Sequence, residues 1–366
     1  MTTALLSPPR VGFTPSPQCA TPAIRNRRRA ARAAIGSGLV VFVLATLGLS
    51  IALETTHPEW REPEFGHRLA LLRKQARPVV LVIGTSRTQN AIAPDTMSFP
   101  NEAGSPRVMN FGQSAATPLK ELLTLHRVLD EGVKPAAVVV ELFPPALAVN
   151  GTDEAELRDR ALRLSANDIE HLAPLCERPS ELWHRWLLAR AVPWHAHRQV
   201  LMNHWGTRWQ PANERIDFQW TSLDANGFQA TSEVSAERRE LLTAVARREW
   251  ADGFIGFHPG ASSVRAVREL VAVCRARAIP VAFFVPPISP GFRAAFSPGV
   301  LATAESYLQS LCDELGVPVF PTTLDVTEDE FMDGHHMLKH GAERYSRWLA
   351  DTHIKPWLAQ SRRNGP

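Results

Sequence analysis

The sequence predicts an α/β fold: a three-layer sandwich around a mostly parallel five-stranded sheet. Three observations carry this expectation. Short apolar runs recur along the chain, amphipathic segments of helical length separate them, and cap or turn residues punctuate the joins. The runs are continuous rather than alternating, which is what strands covered on both faces require. Strands alternating with helices in this way feed a parallel sheet packed on both sides.

The elements follow in order. Pro78–Ile83 (PVVLVI) is the first strand and Arg107–Phe111 (RVMNF) the second. Thr117-Pro118 then supplies an N-cap with proline at the first helical position. Leu119, Leu122, Leu123, Val128 and Leu129 make an apolar stripe, and Gly132 ends that helix. Ala136–Phe143 is a third strand, stopped by Pro144-Pro145. After Pro259, Val264, Val267, Val271 and Cys274 mark a helix, Ile279–Val285 a strand, and Ala304 to Leu315 another helix. Val317–Phe320 is the last strand, and residues 341–359 form the closing helix.

Between Phe143 and Pro259 the rhythm breaks. A structureless loop of that length is improbable inside a domain, so the region reads as a helical insertion or cap at about residues 146–258. It contains Trp183, Trp186, Trp194, Trp205, Trp209 and Trp220. Aromatic faces suit sugars and acyl chains, although packing of the cap accounts for such tryptophans more often. His195 and His197 flank one residue, with no nearby carboxylate to complete a metal set.

The N-terminus is of another kind. Residues 1–32 hold six arginines and no acid, a basic tail without hydrophobic period. Removing these from the 40 basic residues leaves 34 against 37 acids. The folded part is therefore slightly acidic and lacks a nucleic-acid footprint. Ala33–Leu53 follows, 21 residues without a charge. That length crosses a bilayer as a helix, and the arginines before it keep the tail in the cytoplasm. A buried core helix and a cleaved signal peptide are the alternatives. Length and flanks oppose the first, and the missing A-x-A site opposes the second. Residues 54–76 read as a polar, partly helical stalk, 77–359 as the main domain and 360–366 as a tail. The cysteines, Cys19, Cys176, Cys274 and Cys312, show no disulfide framework and no C-x-x-C metal spacing.

Two loops carry candidate chemistry. Ser86, in Ile83-Gly84-Thr85-Ser86-Arg87, sits at the carboxyl end of the first strand, where ligands bind in open parallel sheets. A helix-capping serine is the plainer reading of the same residue. The second loop is Phe331-Met332-Asp333-Gly334-His335-His336, between the last strand and the final helix. A histidine there can take the serine proton while a carboxylate orients its ring. The alternatives are a merely solvent-facing polar pair and a metal site using His336 and His340, the latter lacking further ligands.

Strand-G-x-S near the start and D-x-x-H near the end, around five strands, resemble the SGNH (GDSL-like) hydrolase superfamily. The likeness covers roughly 78–145 and 259–359. It is strongest to the membrane-anchored branch that includes envelope polysaccharide O-acetylation and D-alanylation proteins. The resemblance implies Ser86 as nucleophile, His336 as base and Asp333 as the carboxylate. It also implies an oxyanion hole from the N–H groups of Ser86 and Gly112, the latter within Asn110-Phe111-Gly112-Gln113-Ser114. Arg87, Asn110, Glu141 and His335 are then candidates for contact with substrate. Glu141 also reads as a strand-end charge facing solvent, the reading favoured for it. One departure stands out. The third block of the family carries an asparagine, whereas residues 140–145 here read VELFPP, and Asn150 lies too far along to replace it.

The expected function is an esterase or O-acyltransferase acting on envelope or exported polysaccharide. No cofactor or metal is expected, and a membrane-bound acyl-donor transferase is a candidate partner. The expected location is the cytoplasmic membrane, with one span and a periplasmic domain. A non-catalytic assembly or binding subunit, and a lipase-like esterase of small or membrane esters, are the rival readings.

Overall fold

A computed structural model describes residues 22–56, 58–100, 104–148, 161–251 and 255–364. Most of the basic tail, Cys19 and Asn150 lie outside the described residues. The chain divides into two compact units, residues 1–49 and 50–366.

In the first unit α1 (Pro22–Ile51) begins. It leaves Leu39, Val40, Val41, Phe42 and Leu44 exposed, as helices of water-soluble domains do not. The helical stretch Asn26–Thr56 is long and apolar enough to cross a membrane.

The second unit is a mixed α/β structure around one five-stranded sheet. Its strands are β1 (Val79–Gly84), β2 (Arg107–Gly112), β3 (Ala137–Glu141), β4 (Val281–Phe284) and β5 (Val319–Phe320). They lie in the order β2-β1-β3-β4-β5 and every pairing is parallel. The order reverses between β1 and β3, so a crevice opens at their carboxyl ends, the usual ligand position in such sheets. β5 has two residues rather than the four expected, and pairs only with β4.

The helices are α2 (Pro63–Arg73), α3 (Ser86–Ala91) and α4 (Pro118–Asp130), then α5 (Ala166–Leu172), α6 (Pro179–Ala191), α7 (Arg198–Trp205) and α8 (Ala236–Glu249) in the insertion. The chain ends with α9 (Ala261–Ala276), α10 (Val300–Leu315), α11 (Lys339–Leu349) and α12 (Lys355–Asn364).

Alternate strand residues feed two cores. Leu81, Ile83, Phe111, Val140 and Phe283 pack with α2, α4, α9 and α10 on one face. Val80, Val82, Val139, Ala282 and Phe284 pack with α11 and α12 on the other. Three layers result, as the continuous apolar strands require.

Two segments differ from expectation. The presumed stalk contributes α2, whose Phe65, Leu69 and Leu72 are part of the main core. The polar stretch hid them because Glu62, Glu64 and Arg68 are also buried, each matched by an opposite charge. The closing helix is in fact α11, a wider π-type turn at Ala350–Ile354 and α12, which absorbs most of the supposed C-terminal tail.

Candidate active site

β1 ends at Gly84, and Thr85 caps α3, its Oγ1 accepting from Arg87 N at 3.1 Å. Ser86 is therefore the first helical residue, held at the mouth of the β1–β3 crevice. The turn is fixed from beneath by Glu141, the last residue of β3. Its carboxylate accepts from Thr85 N at 2.9 Å, Thr85 Oγ1 at 3.0 Å, Thr88 N at 3.2 Å and Thr88 Oγ1 at 2.6 Å. Glycine at 84 makes this possible: a Cβ there would stand 2.0 Å from Thr88 Oγ1 and 2.6 Å from Glu141 Oε2.

The second loop is equally constrained. Phe331 bridges to Met337, closing a narrow turn. Inside it Asp333 Oδ1 accepts from the backbone N–H groups of His335 at 3.2 Å and His336 at 2.9 Å. Asp333 Oδ2 lies 2.7 Å from His336 Nδ1, and His336 Nε2 lies 2.8 Å from Ser86 Oγ. A continuous hydrogen-bond relay thus joins residues 250 apart in sequence. The Ser86 partner is His336 and not its neighbour His335.

Electrostatics favour an ionised carboxylate at the end of that relay. Burial raises the Asp333 carboxyl, but the hydrogen bond and electrostatic attraction from His336 outweigh it, holding Asp333 well below the usual carboxylate range. His335 is lowered as well, which for an imidazole favours the uncharged form. Burial first, then His336, push it well below the ordinary histidine range, so it is neutral. It packs between Phe292 at 5.2 Å, Trp250 at 6.1 Å and the His336 ring at 4.1 Å.

The structure therefore brings Ser86, His336 and Asp333 together and gives different positions to the other candidates. Glu141 is not a solvent-facing charge; it is buried and engaged by the Ser86 turn. Arg87 is buried too, donating to the carbonyls of Pro286 at 2.9 Å and Pro287 at 3.2 Å, over the Phe143 ring. Asn110 is a hub: its Nδ2 donates to the carbonyls of Thr88 and Ile92, and its Oδ1 accepts the Gly112 N–H at 2.8 Å. Gly112 thus lacks a free N–H for an oxyanion. Its glycine identity has another cause, since a Cβ would stand 2.2 Å from Gln89 N of α3. His335 is walled off by aromatic rings. All four of these side chains are buried.

Asp333, His335 and His336 present ligand atoms within 4.8 Å of one another. Both His336 nitrogens are already bonded, to Asp333 and to Ser86, so a metal there would have to break the relay. His340 points elsewhere, to Glu233 at 2.8 Å.

The insertion reaches the site through Trp250, 5.1 Å from Phe143, in a cluster with Ile288, Phe292 and Phe296. This tryptophan is not among the six singled out from sequence. Of those six, Trp183 and Trp186 pack against the main core. A cleft of about 450 Å³ opens beside β4 and β5, lined by Phe143, Pro287, Ile288 and Leu324, and its lining does not include Ser86.

A family model described as protein of unknown function (DUF1574) matches residues 68–349. The chain belongs to the DUF1574 family. The match runs from Arg68 in α2 to Leu349, the last residue of α11. The DUF1574 region thus contains all five strands, the insertion and both loops of the relay, and excludes α1. No curated protein matches the chain.

Proposed function

We propose that this DUF1574 protein is a serine ester hydrolase or O-acyltransferase of SGNH type, acting on cell-envelope or exported polysaccharide from the periplasmic side of the cytoplasmic membrane. The observation that carries the reading is the relay from Asp333 through His336 to Ser86, with links of 2.7 and 2.8 Å at the crevice of a parallel sheet. In this reading Ser86 Oγ attacks the acyl carbonyl as its proton passes to His336 Nε2, and Asp333 holds the Nδ1 proton in place. Collapse of the tetrahedral intermediate breaks the ester bond, and His336 returns that proton to the departing alcohol. A sugar hydroxyl or water then gives its proton to His336, attacks the acyl-Ser86 and regenerates the free serine. The polysaccharide and the membrane setting rest on the SGNH likeness together with the apolar helix α1.

A second reading, a non-catalytic assembly or binding subunit, is favoured by the oxyanion side. The Ser86 N–H has no intrahelical acceptor, but Gly112 N–H is bonded to Asn110 and residues 140–145 hold no asparagine. One missing oxyanion donor costs about 2.7–4 kcal/mol of transition-state stabilisation.

Full-length protein purified in detergent and treated with a fluorophosphonate probe decides between them. Labelling that disappears in Ser86→Ala supports the enzyme. A folded protein that neither labels nor cleaves a model acyl ester supports the assembly role. Where turnover occurs, acyl transfer to added oligosaccharide separates a transferase from an esterase.

A further inference from the structure

One part of the insertion is chemically unlike the rest of the chain. Residues 182–213 contain no aspartate or glutamate, but include Arg185, Arg190, Arg198 and Arg208 and five tryptophans. Several large apolar side chains of this stretch stand in the open: Leu187, Leu188, Trp194, Trp205 and Trp209, the last 69% exposed. Arg185, Arg198 and Arg208 are exposed among them, and the Arg208 guanidinium lies 5.2 Å over the Trp209 ring. Single exposed apolar residues need no explanation, whereas a run of this size marks an interaction surface. Tryptophan and arginine together, without acids, suit the headgroup layer of a membrane, where rings take an amphipathic position and cations meet anionic lipid.

The same stretch is fastened where α1 ends. Glu54 follows Ile51, the last residue of α1, by three positions, which is at most about 11 Å of extended chain. Glu54 pairs with Arg190 of α6 and, at 3.0 Å, with Arg61. Arg190 also donates to Leu164 O at 2.6 Å and lies 3.9 Å over Trp186. Trp60 packs edge-on against Trp205 of α7, 5.0 Å between ring centres. Leu187 and Leu188 precede Arg190 within the same helix, so this surface is held within a short reach of the end of the apolar helix.

We infer that the exposed surface of residues 182–213 rests in the headgroup layer of the bilayer that α1 crosses, fixing the domain against the membrane rather than leaving it free on a tether. The inference rests on reading α1 as a membrane span, and it adds a second contact with lipid, made by the folded domain. In this arrangement the Glu54–Arg190 and Trp60–Trp205 contacts tie the surface to the segment that directly follows the span.

The test uses the full chain in vesicles of phosphatidylcholine, with and without phosphatidylglycerol. Leu188, Trp205 and Trp209 are replaced in turn by the photocrosslinker p-benzoylphenylalanine, with Val41 in α1 and Gln309 in α10 as references. Phospholipid adducts at the three positions, several-fold above Gln309 and rising with phosphatidylglycerol, are expected. Lipid adducts at Val41 with none above the Gln309 level at the three positions would overturn the surface contact and leave the span standing. Adducts at the three positions to a second copy of the chain in place of lipid would overturn it equally. Absence of lipid adduct at Val41 would instead remove the span, and with it the ground for this inference.

Discussion

Asp333 shows how a residue's environment sets its role. Its carboxylate receives two backbone N–H groups and the His336 ring, so its charge is stabilised and the imidazole is held in one orientation. Asp333→Asn would keep the shape but present the wrong tautomer to Ser86, and an activity loss of about 10⁴-fold in kcat is expected with the fold retained. Steady-state turnover of a model ester, alongside circular dichroism, checks this. Glu141 has a different weight. Removing it leaves the donors of Thr85 and Thr88 without their acceptor and the buried Arg87 guanidinium, 3.7 Å away, without its counter-charge. Glu141→Ala should cost about 3–5 kcal/mol, read as a shift of the denaturation midpoint in urea. The relay was legible from two short motifs because both sit at strand ends, where function gathers in parallel sheets. The roles of Glu141, Asn110 and Gly112 were not, since single residues do not reveal which backbone groups they will meet. A charge closing the apolar strand AVVVE was the one available signal.

Among the elements, the joint between α2, α4 and the insertion is built on charge. Arg127 of α4 binds Glu62 at 2.6 Å and Asp168 of α5 at 2.8 Å, in a buried cluster. Burial raises the Asp168 carboxyl, but the Arg127 charge and hydrogen bond outweigh it and hold it down at about 2. Stability from this contact is complete above the ordinary value of 3.8 and is lost as pH falls towards 2. Two histidines act earlier. Burial, and then nearby cationic groups, lower His126 and His197 from 6.5 to about 4. The unfolded chain binds protons there first, so stability present above 6.5 falls as pH drops towards 4. Melting temperature should therefore decline across that interval, and His126→Phe, which retains a ring against His171 at 4.0 Å, should flatten part of the decline. A pH-independent melting temperature between 6.5 and 4 would contradict this. These couplings also explain which elements sequence could locate. The strands and α4, α9 and α10 follow from apolar period alone, whereas α2 buries the Glu64–Arg68 pair and α5 buries Asp168, whose partner Arg127 lies in α4.

The whole molecule is organised by charge asymmetry. α1 has 30 residues, about 45 Å of helix, whereas a bilayer core needs about 30 Å. The surplus lies at its amino end, where Arg25, Arg27, Arg28, Arg29 and Arg32 belong to the same helix. On the other side come Glu54 and a folded part with more acids than bases. A positive cluster immediately before a span resists export, whereas acids after it offer little resistance. The DUF1574 domain is therefore expected outside the cytoplasm, the only side from which Ser86 could reach envelope polysaccharide. A reporter fused after Pro366 should be active when it functions outside the membrane and silent when it functions in the cytoplasm. Changing Arg25, Arg27, Arg28, Arg29 and Arg32 to glutamine together should divide the population between the two orientations, because it removes the asymmetry and leaves the apolar run intact. Full cytoplasmic activity of a reporter on the unchanged chain would place Ser86 on the wrong side of the membrane, and the proposed polysaccharide acceptor would have to be abandoned even if the serine relay proved active.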